Sequence, residues 1–176
     1  MARGIAINAL WDNVFRKGKD AGKVSKVQFL KTFPLFEGLN KRELGRVADI
    51  VYDRTYEEGE FIFEMQQPGA AMFIIKSGEV DIIVPQGHGK HLTLATLGPR
   101  DFLGELALLD NSPRSASAVA TRRTEAMAFF RADLNKLLYT DPVIGCKIFK
   151  AFSLIIGIRL KITNEQLQKA GEKRPA

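Results

Sequence analysis

"GELALLDNSPRSASAVA", residues 104–120, decides how the rest of this chain is read. Its first six residues are rich in Leu and Ala and lack any β-branched side chain, which favours a helix over a strand. They lie between runs that read as strands. The pattern therefore predicts about one and a half turns of helix set into an otherwise all-β domain. Within that helix Leu106, Leu108 and Leu109 are expected in the core. The second half of the stretch places one arginine, Arg114, directly after Pro113 and follows it with Ser, Ala, Ser, Ala. Small residues let another molecule approach the backbone closely, and an arginine among them suggests an anion.

Outward from this stretch, residues 50–131 carry six β-branched or aromatic-rich runs: "IVYDRTY", "EFIFEM", "AMFIIK", "EVDIIV", "HLTLATL" and "EAMAFF". Gly- and Pro-bearing breaks such as "EEG", "QPG", "PQGHG" and "GPRD" separate them. "FIIKSGEVDIIV" predicts a hairpin with Ser77-Gly78 at its turn. Even spacing of this kind implies a small antiparallel jelly roll, sandwich or barrel.

Helical patterns flank this region. Before it, Ile7, Leu10, Trp11 and Val14 fall at helical spacing, followed by a basic linker between residues 16 and 31 that holds six Lys or Arg against Asp20 alone. Phe29, Leu30, Phe33, Leu35, Phe36 and Leu39 form a dense apolar cluster. Asn40 followed by Glu43 has the spacing of an N-cap with its reciprocal acid, so a helix should start at Lys41. After the β region, Asp141-Pro142 opens a long helix to about residue 169. It carries two apolar rows, Phe149, Phe152, Ile156, Leu160, Thr163 and Leu167, and Ile148, Ala151, Ile155, Ile158 and Ile162. One row can pack internally and leave the other for a partner helix. The expected divisions are an N-terminal helix with linker over 1–28, a β domain over 29–140, a C-terminal helix over 141–170, and a tail over 171–176.

The 176 residues allow one domain with a substantial core plus appended helices. A single cysteine, Cys146, excludes an intrachain disulfide and reads as a small packing residue of the last helix. No apolar run reaches the roughly 20 residues a membrane-spanning helix needs, and the expectation is a cytoplasmic protein. The net charge of +6 is concentrated in the linker. No recognition helix or interleaved aromatic residues accompany it, so it reads as a solvated segment and not as a nucleic-acid surface. His88 and His91, placed in a hairpin turn, have no Cys or carboxylate cluster around them and predict no metal site. No Ser/His/Asp order or paired-carboxylate cleft stands out, and the chain reads as non-catalytic.

The chemistry of residues 104–116 can be taken further. Arg114 offers a planar fork of donors that matches two phosphate oxygens. Ser115 adds a hydroxyl, and Ala116 a backbone N–H with no side chain in the way. Glu105 has acceptors only, so its natural partner is a hydroxyl such as that of a ribose. A phosphate beside a sugar hydroxyl, with no Walker-type lysine loop, describes a mononucleotide of modest charge. The plain alternative for Glu105 and Arg114 is a surface salt bridge.

"FLGELALLDNSPRSASAVA" resembles the phosphate-binding cassette of the cyclic nucleotide-binding domain, found in bacterial catabolite activator proteins, kinase regulatory subunits and nucleotide-gated channels. The resemblance extends to "FLKTFPLFEGL" and "GEFIFEMQQPGAAMFIIKSGEVDII", about residues 29–140. It implies that Glu105 binds the ribose 2′-OH and Arg114 the cyclic phosphate. Gly104, Leu106 and Ala107 would line the cassette helix, and Ser115 and Ala116 would complete the phosphate cradle. "RLKITNEQL" is similar to the catabolite activator dimerisation helix, which would place Thr163 and Asn164 at the base, one from each subunit of a homodimer. Asn164 departs from the Ser of that pattern. No helix-turn-helix follows this helix in the sequence, so no DNA-binding function is carried over. The resemblance thus implies a receptor for cyclic AMP, with cyclic GMP as the other candidate, signalling to an effector protein through its flanking helices. A ligand-independent dimerisation or interaction module with a vestigial cassette is the alternative, and a cyclic dinucleotide receptor a third.

Overall fold

The fold is described from a computed structural model, over residues 26–87 and 89–172. Residues 49–134 form one compact unit, and the helical segments 26–48 and 135–172 form another.

The first unit holds eight strands: β1 (Val51–Tyr56), β2 (Phe61–Phe63), β3 (Ala71–Ser77), β4 (Val80–Gly87), β5 (Lys90–Leu97), β6 (Phe102–Leu103), β7 (Ser117–Ala120) and β8 (Thr124–Phe130). They make two four-stranded antiparallel sheets, in the orders β1-β8-β3-β6 and β2-β7-β4-β5. The expected antiparallel β fold is present, as two sheets that do not close into a barrel. Ile62, Phe73, Ile75, Val80, Leu97, Leu103, Ala118 and Ala128 are drawn from both sheets and form one buried cluster. Period-2 alternation directs these side chains to the same interior.

The predicted hairpin at Ser77-Gly78 does not form. β3 pairs with β6 and β8, β4 with β5 and β7, so the chain changes sheets at this point. Thr124 holds the crossing: its Oγ1 accepts from Glu79 N–H and lies 3.2 Å from Glu79 O, while Thr121 N–H donates to the same carbonyl at 2.9 Å. A Ser-Gly step between two apolar runs specifies a sharp turn but not which ladder each run joins. β4 and β5 are the adjacent hairpin instead, with Pro85 opposite His91. His91 is therefore a strand residue and not a turn residue, and His88 lies outside the described residues. β6 and β7 carry no strong β pattern, being respectively two residues long and built of Ser, Ala and Val.

The second unit contains α1 (Lys26–Lys31), a 3₁₀ turn (Pro34–Phe36), α2 (Lys41–Ala48) and α4 (Pro142–Glu172); α3 (Arg131–Thr140) spans the division between the units. The sequence reading left α3 unassigned. The Trp11 stripe lies outside the described residues. At the start of α2 the capping box is complete. Asn40 Oδ1 accepts from the N–H groups of Arg42 and Glu43, and Glu43 Oε2 accepts from Asn40 N–H at 2.8 Å. On α4, Ile144, Ile148, Phe152 and Ile155 are buried, and α4 packs on the Pro34–Phe36 turn. Leu154, Ile158 and Leu160 are exposed, as is Cys146, which is not a packing residue.

The same Glu43 carboxylate accepts from Lys147 Nζ of α4 at 2.7 and 2.9 Å, and Arg46 pairs with Asp141. Two ion pairs thus join α2 to the first turns of α4. The Lys147 hydrogen bond, followed by that from Asn40 N–H, holds the Glu43 carboxyl below its ordinary value of 4.5. A carboxylate with a depressed folded-state pKa contributes stability above its unfolded value and loses it as pH falls through the folded one. Glu43→Gln keeps the cap but loses the charge. It is expected to melt below the wild type at neutral pH, with the gap closing well below pH 4.5, as calorimetric scans at both pH values would register.

Candidate functional site

The stretch 104–108 forms a short 3₁₀ turn, Glu105–Leu108, entered through Gly104 in the left-handed region at φ +70°. A Cβ at Gly104 would sit 2.4 Å from Arg114 Nη1 and 3.2 Å from Phe63 Cε1, so only glycine fits both the backbone and the space. Ala107 and Leu108 are buried. Leu106 and Leu109 are not core residues: they stand 53% and 48% exposed. A four-residue turn lying on β3 can bury only one side, and Ala107 and Leu108 occupy it.

Arg114 is buried, 8% exposed, and both of its Nη groups are engaged. Nη1 donates to Gly104 O at 3.0 Å and Nη2 to Ala71 O at 2.7 Å. One guanidinium therefore ties the entrance of the 3₁₀ turn to the start of β3. Phe63 of β2 lies under it, with Cζ 4.1 Å from the ring centroid. Nε is buried and lacks a hydrogen-bond partner within the chain. Burial pushes the guanidinium pKa down, Glu105 pushes it back up, and Arg131 adds to the lowering. Arginine remains protonated throughout.

The backbone of Arg114 is held as firmly. Its N–H donates to Gln67 O, and its carbonyl accepts from Gln66 N–H, both at 2.9 Å. To reach this pairing Gln66 adopts φ +69°, a conformation non-glycine side chains rarely take. Pro68 bridges Pro113, and Met65 N–H donates to Ser117 Oγ at 2.8 Å. Behind the 3₁₀ turn, Arg131 Nη1 donates to Ala107 O at 2.8 Å and to Asp110 O. The loop between β2 and β3, the 3₁₀ turn and the Pro113–Ser117 segment are laced into one structure.

This arrangement suits an oxyanion. It places a fixed cation with an unmatched N–H donor against the entrance of the 3₁₀ turn, small residues after it in the chain, and a carboxylate, Glu105, at the turn's first position. Glu105 is half-buried, Ser115 exposed and Ala116 buried. Gly104, Glu105, Leu106, Ala107, Arg114, Ser115 and Ala116 all belong to this one cluster of segments. Thr163 and Asn164 lie on α4 in the other unit; both are exposed, and Thr163 Oγ1 donates to Arg159 O at 2.9 Å.

The description "cyclic nucleotide-binding domain" matches residues 53–141, half of the chain, and that match takes in every element of the site just described. The chain belongs to the cyclic nucleotide-binding domain family. It is 38% identical over 116 residues to a cyclic AMP receptor protein of Thermus thermophilus, covering 66% of this chain and 54% of that one. A cyclic nucleotide-gated potassium channel of Mesorhizobium japonicum is 29% identical over 159 residues, 88% of this chain and 42% of the channel. The crystal structure of the Thermus thermophilus catabolite activator protein superposes with a TM-score of 0.69 at 33% identity, over 78% of this chain and 63% of that one. The chain thus spans about half the length of the curated relatives named here. No helix among the described residues is long and apolar enough to cross a membrane.

Sequence reasoning missed Phe63, Ala71, Gln67 and Arg131, which position the cassette of this cyclic nucleotide-binding domain. Ala71 and Gln67 act through backbone carbonyls, which side-chain identity does not reveal. Phe63 sits in an alternating strand pattern that reads only as core.

Proposed function

We propose that this chain is a cytoplasmic receptor for a cyclic nucleotide, cyclic AMP before cyclic GMP, that passes occupancy to an effector protein and performs no catalysis itself. The observation that carries the proposal is the buried Arg114 guanidinium. Its Nη groups are fixed by Gly104 O and Ala71 O, while Nε keeps an unmatched donor. A cyclic phosphate bears one negative charge and acceptor oxygens, which suits a single arginine with nearby N–H groups. Glu105 would accept from the ribose 2′-OH, with Ser115 and the Ala116 N–H completing the cradle. The names of the relatives, a cyclic AMP receptor protein and a cyclic nucleotide-gated channel, support the ligand class.

Signalling would proceed as a population shift. A ligand that holds Arg114 and Glu105 favours one placement of the cassette, and the flanking helices respond to that placement. The exposed Leu154, Ile158 and Leu160 of α4 suit a second copy of the helix, and Thr163 and Asn164 would then be available to the base. The test is calorimetric titration with cyclic AMP and, separately, cyclic GMP, after unfolding and refolding the protein to remove carried-over ligand. Saturable binding of one nucleotide per chain is expected, with the affinity ratio assigning the base. Absence of heat and of any thermal shift with both nucleotides would overturn the proposal in favour of a ligand-independent interaction module.

A further inference from the structure

A guanidinium has donors around its edge and none on its faces. Every hydrogen bond that the Arg114 guanidinium makes or offers therefore lies in one plane, among them Nη1 to Gly104 O, Nη2 to Ala71 O, and the unmatched Nε–H. Two in-plane contacts fix where the group points but leave it free to rock about the line joining them. Water cannot steady the faces, because the side chain is buried. Phe63 is the group that does. Its ring centroid is 4.1 Å from Arg114 Cζ, within the range where a ring face attracts a cation. The ring is itself held, packing against Phe73 of the core at a centroid distance of 6.0 Å, with its Cε1 3.2 Å from where a Cβ on Gly104 would stand.

We infer that Phe63 is a positioning residue for phosphate recognition: its ring face holds the Arg114 guanidinium flat, so that the Nε edge stays aimed at the ligand. This rests on the receptor reading given above. An aliphatic side chain of similar volume fills the same space but carries no quadrupole. Unlike a carboxylate partner, the ring stabilises the buried cation without consuming a donor or cancelling the charge that the phosphate needs.

The prediction separates the ring from its bulk. Phe63→Leu is expected to weaken cyclic AMP binding about tenfold in calorimetric titration of the refolded chain, between the values for an exposed and a desolvated cation–ring contact. Phe63→Tyr and Phe63→Trp, which keep an aromatic face, are expected to stay within about threefold of the wild type. The Arg114 Nε–H proton resonance reports the stack directly in the ligand-free protein. It should lie upfield through the ring current in the wild type and in Phe63→Tyr, and return toward the ordinary arginine position in Phe63→Leu.

Equal weakening by leucine and tyrosine would make Phe63 a packing residue only and overturn the inference. So would wild-type affinity in Phe63→Leu, or an Nε–H resonance indifferent to the ring. If the wild type binds neither nucleotide, the receptor reading falls and takes this one with it. If the wild type binds and Phe63→Leu binds equally well, this inference alone is lost.

Discussion

Arg114→Ala is expected to weaken cyclic AMP binding at least a hundredfold and to lower the melting temperature of the ligand-free protein. The first effect follows from removing the cation and the donor fork from a site with no second arginine among residues 104–120. A charge-assisted hydrogen bond contributes about 1.5–3 kcal/mol, and the phosphate would lose the Nε–H bond together with its attraction to the buried cation. The second effect is independent of ligand. Arg114 is the hydrogen-bond partner of Gly104 O and Ala71 O, and deleting it leaves both carbonyls short of a donor in a poorly hydrated place. Each such loss costs about 1–3 kcal/mol, so a destabilisation of roughly 2–6 kcal/mol is expected, a fall on the order of 4–24 °C for a chain of this size.

Arg114→Lys keeps the charge but offers a point donor where a planar fork is needed. It should fold better than the alanine variant and still bind at least tenfold more weakly than the wild type. Titration calorimetry reads the affinities and differential scanning calorimetry the stabilities. Wild-type affinity in either variant would refute the assignment of Arg114 to the phosphate. Wild-type stability in the alanine variant would refute its role as a tie between the 3₁₀ turn and β3.

The residues of the candidate site are more legible in the sequence than the contacts that hold them in place. Arg114 and Glu105 are chemically loud: an arginine between Pro113 and a run of small residues suggests an anion, and a carboxylate after a glycine invites a donor. The capping box at Asn40 and Glu43 was equally legible, because capping is settled within four residues of chain. What stayed hidden depends on partners distant in sequence. The carbonyls of Ala71 and Gln67 carry no side-chain signature. The exposure of Leu106 and Leu109 follows from the turn having one side against β3, and Leu looks the same on either side. α3 went unassigned because "RADLNKLLYT" has a weakly amphipathic pattern and follows β8 with no break between them.

Gly78 shows how far a local reading can depart from the folded chain. Read locally, Ser77-Gly78 is a tight hairpin turn, and a glycine exposed in such a turn can be replaced by alanine at the left-handed strain alone, about 1–2 kcal/mol. In the structure it is the point where the chain leaves one sheet for the other, at φ +94° and wedged against the start of β8. A Cβ there would lie 2.4 Å from Thr124 Oγ1 and 2.6 Å from both Arg123 O and Thr124 Cα. Two of those atoms are backbone and cannot rotate away. Thr124 is itself fully buried, and its hydroxyl accepts from Glu79 N–H. Gly78→Ala therefore adds left-handed strain of about 1–2 kcal/mol to an overpacking penalty of about 1–3 kcal/mol. The expected loss is roughly 2–5 kcal/mol, or at least about 4 °C in melting temperature. Gly38→Ala, at a position with no neighbour within 4 Å, should change stability by less than about 0.5 kcal/mol and serves as the control. A loss of only about 1 kcal/mol at Gly78 would mean that β3 and β4 form the local hairpin after all. Because the two sheets meet at this residue, that result would overturn the strand order itself and not merely one turn.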